Sequence, residues 1–139
     1  KGFRHFGHDI TCEDNVIDAG LGFAVKTDKD DFIGKAAVLE RKETGPKNRM
    51  VQFKLTDAEP LLFHNEPIIR DGKYVGYLSS GNYGHTLGAA IGMGYVPCEG
   101  ESAADVLGST YEIDVCGVKV KAEASLKPMY DPKSERVKA

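Results

Sequence analysis

At 139 residues the chain is long enough for one domain with a real core, since a domain of this size buries roughly two-thirds of the surface its unfolded chain exposes. Its 18 Lys and Arg against 21 Asp and Glu leave a formal charge of −3 with no concentrated basic segment, which speaks against nucleic acid as a partner. No apolar run approaches the roughly 20 residues that cross a bilayer, so no membrane partner is expected, and Cys12, Cys98 and Cys116, odd in number and without C-x-x-C spacing, fit reduced thiols of an intracellular protein.

The chain opens at Lys1 rather than at Met, and the expectation is a portion of a longer polypeptide. His5, His8, Asp9 and Cys12 come early and are residue types that ligate metals. On a helix His5, His8 and Cys12 would share a face, but two glycines and Thr11 oppose a helix there, and no metal site is assigned. "AGLGFA" lacks the third glycine of a dinucleotide fingerprint. From Asp31 to Glu43 the pattern is helical: Phe32, Ala36 and Leu39 share one face, Ile33 and Ala37 flank it, and Asp30 or Asp31 can cap the first turn. Gly45 and Pro46 end it.

After Pro46 the period falls to 2, and six short runs read as strands: Arg49 to Thr56, Pro67 to Arg70, Lys73 to Ser79, Ala89 to Val96, Tyr111 to Val115 and Val118 to Ala124. A small barrel or a sandwich would accommodate them. Asp71-Gly72 supplies the two positive-φ residues of a type I′ hairpin turn, which sets Arg70 opposite Lys73, Ile69 opposite Tyr74 and Ile68 opposite Val75. In "VKVKAEA" the small apolar residues alternate with Lys119, Lys121 and Glu123, and Cys116-Gly117 stands where the chain must reverse. "SSGNYGHTLGAAIGMG" invites a phosphate-loop reading but lacks the Gly-Lys-Ser/Thr ending, so its glycines are assigned to a tight turn and close strand packing. His64 and His85 lie in turn-like stretches without an evident nucleophile to serve. The tail from Leu126 has two prolines and no period, and is either frayed or held down by a neighbour.

"KGFRHFGHDIT", "DAGLGFAVK", "DFIGKAAV", "YLSSGNYGHTLGAAIGMGYV" and "LKPMYDPKSERVK" occur in the order, and at about the spacing, found in the glycine-cleavage T-protein (aminomethyltransferase) family, and the chain resembles the C-terminal portion of that fold. Its opening and its end are most similar to the folate region of the sarcosine and dimethylglycine dehydrogenases. The resemblance implies a mostly β, α+β chain with one main helix: residues 1–45 finish a preceding subdomain, 46–125 make a six-stranded antiparallel β-barrel, and 126–139 form a basic tail. It also implies that upstream subdomains of the same polypeptide are partners, that tetrahydrofolate is held mainly by upstream residues, and that FAD belongs to an N-terminal half. Location in a bacterial cytoplasm or a mitochondrial matrix would follow.

By the same resemblance no catalytic residue lies in this chain. What remains for it is the carboxylate-bearing end of folate, with Arg136 as the bidentate contact, Lys133 and Lys138 as further cations, and Tyr130 packing on the ligand's ring. A non-catalytic interaction module, a folate-dependent demethylase and the glycine-cleavage protein itself are the other roles this fold implies.

Overall fold

Turn residues cut the chain after Pro46 into β-rich runs, and in the structure, a computed structural model describing residues 1–139, six of those runs pair. β1 (Asn48–Leu55), β2 (Pro67–Arg70), β3 (Lys73–Gly84), β4 (Ala89–Pro97), β5 (Tyr111–Val115) and β6 (Val118–Ser125) close into an antiparallel barrel in the order β1-β4-β3-β2-β5-β6. A closed barrel has no unpaired edge to protect. All six expected strands are present, and the open choice between barrel and sandwich falls to the barrel. β3 runs on past Ser79 to Gly84, because the glycine-rich stretch is itself a strand pairing with β4.

The hairpin at Asp71-Gly72 forms with both residues at positive φ, 49° and 79°. Arg70 faces Lys73 and Ile69 faces Tyr74 as the turn requires, but Ile68 pairs with Gly76 rather than Val75. The extra residue is Val75 of β3, a β-bulge opposite the step from Ile68 to Ile69. Bulges raise local twist, which a four-residue strand needs to pass from β3 to β5 in a tightly curved barrel. Asp71 also accepts hydrogen bonds from the Thr110 amide (2.8 Å) and hydroxyl (3.0 Å), so the turn is pinned to the start of β5. The second hairpin turns at Cys116-Gly117, again with positive φ at both positions, and pairs Val115 with Val118.

Inside the barrel Val51, Phe53 and Leu55 of β1 alternate inward with Leu78, Ala90, Val96, Ile113 and Val120. Each large side chain taken from water here contributes about 1.5–3 kcal/mol. Space is tight between β3 and β4: a Cβ added at Gly94 would stand 2.5 Å from the Tyr77 carbonyl and 2.7 Å from Ile68 Cδ1.

Three helices accompany the barrel. α1 (Lys35–Thr44) begins four residues later than the apolar pattern suggests, after Gly34 at φ 85°, and neither Asp30 nor Asp31 caps it. Asp31 instead accepts from the adjacent Phe32 amide, and Gly34 in the left-handed region breaks the ladder that would have carried Phe32 and Ile33 into the helix. No residue of α1 is buried, and Ile33 just before it is fully exposed. α2 (Ala103–Gly108) was not expected. Ser102 and Asp105 cap it reciprocally, Val106 is sunk in the core, and the Tyr111 hydroxyl donates to the Val106 carbonyl at 2.8 Å. Arg70 ties the same region together, donating to Ser109 Oγ (2.8 Å), the Pro97 carbonyl (3.1 Å) and Glu101 (2.5 Å). α3 (Glu135–Lys138) is a single turn in the tail. None of the helices is long and apolar enough to cross a membrane.

Residues before β1 form an irregular arm laid over the barrel's outer surface. It explains why Met50 and Gln52, which point outward from β1, are as buried as Val51 and Phe53 beside them. The Met50 amide donates to the Asp18 carbonyl at 2.9 Å, and Ala19 is 2 % exposed.

Gly94→Ala is expected to lower stability by about 1–3 kcal/mol, because backbone rather than a flexible side chain must yield. Gly108→Ala, where nothing lies within 4 Å and φ is ordinary, should change it by less than about 0.5 kcal/mol. Urea unfolding monitored by circular dichroism checks both, and equal midpoints for the two variants would contradict the packing described.

Candidate functional site

After β6 the chain must turn back toward its own beginning, and Ser125 makes the turn: its hydroxyl accepts from the Lys127 amide (3.1 Å) and donates to the Lys127 carbonyl (2.8 Å). Pro128 and Pro132 then keep the backbone from forming a strand or long helix. Asp131 organises the rest of the tail. One carboxylate oxygen accepts from the Glu135 amide at 2.8 Å, and the other accepts from the Arg136 amide at 3.3 Å and from Lys1 Nζ at 2.7 Å. The side chain is 7 % exposed, and a single carboxylate thus joins the last turn of the protein to its first residue. The hydrogen bond from Lys1 holds the Asp131 carboxyl below the usual carboxylate range, and the two amides add to it against the cost of desolvation. The tail is held rather than frayed.

Beside this clasp the Tyr130 ring is approached by two cations, Lys1 Nζ at 5.3 Å and Arg136 Cζ at 5.7 Å from its centroid. The two residues singled out in the sequence, Tyr130 and Arg136, are therefore neighbours. Next to them, between the arm and the tail, lies a cleft of about 730 Å³. Phe3, Leu21, Phe23 and Leu126 give it apolar walls, and Lys1, Arg4, Lys127, Lys133 and Lys138 give it cations, with no carboxylate among the lining residues. Lys133 and Lys138 line this cleft, whereas Tyr130 and Arg136 stand outside its lining. Arg4 is fixed in place by its hydrogen bonds to the carbonyls of Ala19 and Gly2. Burial lowers the Arg4 guanidinium from its ordinary value, opposed by the charges of Asp9 and Tyr95.

Phe3 and Phe23 are 76 % and 86 % exposed, unusual for aromatic side chains and suited to stacking on a flat ring. Lys1, Phe3, Arg4, Phe23 and Lys127 were not among the residues singled out from the sequence. The interleaving of basic and aromatic residues in "KGFRHF" is the one local signal of Lys1, Phe3 and Arg4.

The other early candidates serve different ends. His5 and His8 stack with ring centroids 4.5 Å apart, and His64 meets His8 edge-on at 6.4 Å, all three exposed. Asp9 turns away from them into the barrel wall, accepting from the His5 amide at 2.8 Å and from Ser79 Oγ at 2.6 Å. Cys12, Cys98 and Cys116 are unpaired, and burial pushes the Cys98 thiol up. His85 packs edge-on against Tyr83 at 5.2 Å. "AGLGFA" forms a 3₁₀ turn at Gly22–Ala24 rather than a strand-turn-helix.

The family described as the glycine cleavage T-protein C-terminal barrel domain matches residues 48–131. The 4-methylaminobutanoate oxidase (formaldehyde-forming) of Paenarthrobacter nicotinovorans is 42 % identical over 139 residues, an alignment spanning 99 % of this chain and 16 % of that protein. Human mitochondrial sarcosine dehydrogenase is 33 % identical over 142 residues, spanning 99 % of this chain and 15 % of that one. Among solved structures, the glycine cleavage system aminomethyltransferase T of Bartonella henselae superposes with a TM-score of 0.73 at 30 % identity, over 87 % of this chain and 33 % of that one. The chain thus spans about a sixth of the two curated relatives and a third of the solved protein.

Because the Asp131 carboxyl titrates below its unfolded value, the clasp is complete above the ordinary carboxylate range, near pH 4, and is lost as pH falls through the lower folded value. Residues 133–138 are expected to become mobile in acid before the barrel unfolds, and Asp131→Asn to make them mobile at neutral pH. Backbone ¹⁵N relaxation checks this, and tail order unchanged in Asp131→Asn would show that the clasp is not what holds it.

Proposed function

This chain belongs to the glycine cleavage T-protein C-terminal barrel family, and from that premise we propose that it closes the folate channel of a larger tetrahydrofolate-dependent enzyme acting on an N-methyl amine. The substrate class is supported by the names of the two curated relatives, since sarcosine and 4-methylaminobutanoate are both N-methylated amino acids. Bound tetrahydrofolate would take up the one-carbon unit released from the amine. A flavin that oxidises the amine would belong to preceding polypeptide, for no segment here has the strand-turn-helix setting that seats a dinucleotide.

The observation that carries this reading is the terminal cleft, lined by five cations and no carboxylate and walled by two exposed phenylalanines. Folate ends in a benzoyl ring bearing a glutamate, an aromatic plate followed by two carboxylates, and the donor set suits it. Phe3 and Phe23 offer faces to the ring. Lys133 and Lys138 offer point charges to the carboxylates, and Arg136 offers the planar fork that binds a carboxylate through two parallel N–H donors. Tyr130 steadies the Arg136 guanidinium, 5.7 Å from its ring centroid, beside the cleft. These residues bind and orient; none of them is assigned a proton-transfer step, and no catalytic residue is assigned in the chain.

Upstream subdomains of the same polypeptide are the partners this reading requires. Residues 1–45 would complete the subdomain before the barrel, and the uncovered apolar side chains of Phe6, Ile33 and Leu39 are where preceding polypeptide would pack. A bacterial cytoplasm or a mitochondrial matrix is the matching location, one relative being mitochondrial by name.

In the longer protein that carries this barrel, Arg136→Ala is expected to raise the Kd for tetrahydrofolate about tenfold, the worth of one charge-assisted contact, and to leave unchanged the Kd for an analogue lacking the glutamate. Equal loss for both ligands in calorimetric titration would remove Arg136 from the carboxylate end. The isolated chain should bind tetrahydrofolate more weakly than micromolar, because it holds only part of the pocket. Micromolar or tighter binding would contradict a channel shared with upstream subdomains.

A further inference from the structure

Two clefts border the arm, and their charges are arranged differently. One, of about 570 Å³, lies between residues 11–18, the joint of α1 with β1 and the ends of β3 and β4, and its lining mixes Glu13, Asp14 and Asp18 with Arg41 and Lys47. The terminal cleft of about 730 Å³ carries cations alone, and they stand on two separate pieces of chain. Lys1 and Arg4 belong to the arm, while Lys127, Lys133 and Lys138 belong to the tail. Across a cleft of that size opposed walls lie within about one Debye length, roughly 10 Å at 0.1 M salt, so the two positive walls repel each other.

What holds the tail against that repulsion is slight. Leu126 packs on the barrel core and fixes the tail's base. Beyond it, a single hydrogen bond joins residues 128–139 to the rest of the chain, from Lys1 Nζ to Asp131. The others stay within the segment, among them those from the Ser134, Glu135 and Arg136 amides back to Asp131. Lys1 also lies over the Tyr130 ring, so one ammonium carries the whole polar link between tail and arm. α3 buries no residue. Asp131 and Ser134 take φ of 49° and 54°, a left-handed conformation in which residues other than glycine persist only where their surroundings hold them.

We propose that the tail beyond Pro128 is a strap whose closure over the terminal cleft is coupled to an anionic ligand bound between the two walls. A ligand bearing carboxylates removes the repulsion and draws tail and arm together, a second fastening beside Asp131. Lys1 can serve both, because an ammonium has three N–H donors, Asp131 takes one, and the side chain keeps 28 % of its surface exposed. The coupling is reciprocal: what the ligand adds to closure of the tail, closure adds to affinity for the ligand. This strap presupposes the folate reading of the cleft, to which it adds the way the seat closes.

The test is ¹⁵N relaxation of residues 133–138 in the chain and in Asp131→Asn, titrated with p-aminobenzoyl-glutamate, its uncharged diamide, glutarate, and sodium chloride at matching ionic strength. The mobile tail of Asp131→Asn is expected to regain its order on saturation with p-aminobenzoyl-glutamate, and not with the diamide or the salt. By reciprocity Asp131→Asn should raise the Kd for p-aminobenzoyl-glutamate about fivefold. Lys133→Gln combined with Lys138→Gln, at two exposed positions whose change leaves the barrel untouched, should remove the ligand's effect on tail order. Saturable shifts of the Phe3 and Arg4 amides with residues 133–138 still mobile would overturn the strap and leave the folate reading standing. Order restored as readily by glutarate would uphold the strap and count against the folate reading, since the aromatic walls would then add nothing. A tail already ordered in Asp131→Asn before any ligand, order restored by salt alone, or no saturable shift at all would overturn the proposal.

Discussion

Two buried carboxylates fasten the arm to the barrel, Asp9 at Ser79 of β3 and Asp18 at Asn48 of β1, and the arm they hold borders both clefts. Asp9 is 1 % exposed, and its two oxygens look in opposite directions, one to the His5 amide within the arm and one to Ser79 on β3. Ser79 sits where β3 slips register against β4, between Leu78 and Ser80, and its hydroxyl lies between Asp9 of the arm (2.6 Å) and the Met93 carbonyl of β4 (3.0 Å). Burying an ionised group is tolerable only when it is paired and fully hydrogen-bonded, and the charge of Arg4 nearby offsets that of Asp9. The bulge, the serine and the aspartate form one device in which backbone geometry on the barrel prepares a donor for the arm.

From that anchor the arm divides the surface into two chemically distinct halves. Toward the termini it contributes Lys1, Phe3 and Arg4 to a cleft of positive charge and aromatic wall, completed by the tail that Asp131 holds in place. Toward α1 it contributes Glu13, Asp14 and Asp18 to a cleft of negative charge. One strap of irregular chain over a rigid barrel thereby borders one cleft lined mainly by cations and another in which carboxylates outnumber them.

The barrel was legible in the sequence because its turns are written locally. Asp71-Gly72 and Cys116-Gly117 occupy the positive-φ positions they imply, and the apolar alternation in β1, β5 and β6 fixes which side faces in. What was lost depended on contacts between distant residues or on short elements. The bulge beside Ile68 shifts one pair and answers to barrel curvature, which no local pattern records. α2 is too short for a period of 3.6 to emerge, although Ser102-x-x-Asp105 is a capping pattern that could have marked it. Gly34 ends the helical reading of Phe32 and Ile33 by taking a left-handed conformation, a choice that glycine permits but does not announce. At the candidate site Tyr130 and Arg136 could be singled out because both are local to the tail, and they stand beside the cleft rather than in its lining. Lys1 and Phe3 lie more than a hundred residues away in sequence, and only folding brings them to the same cleft.

The central claim is that Asp9 holds the arm on a barrel that stands without it, and amide hydrogen exchange on Asp9→Ala reads this directly. The account predicts that protection is lost at His5 and through the arm to Leu21, whose amide bonds to Val16, and with it at Asn48 and Met50, whose amides bond to Asp18, while the other amides of β1 and those of β4 and β6 remain protected. Undiminished protection in the arm would show that the carboxylate is incidental, and loss of protection throughout the strands would show that arm and barrel are one cooperative unit.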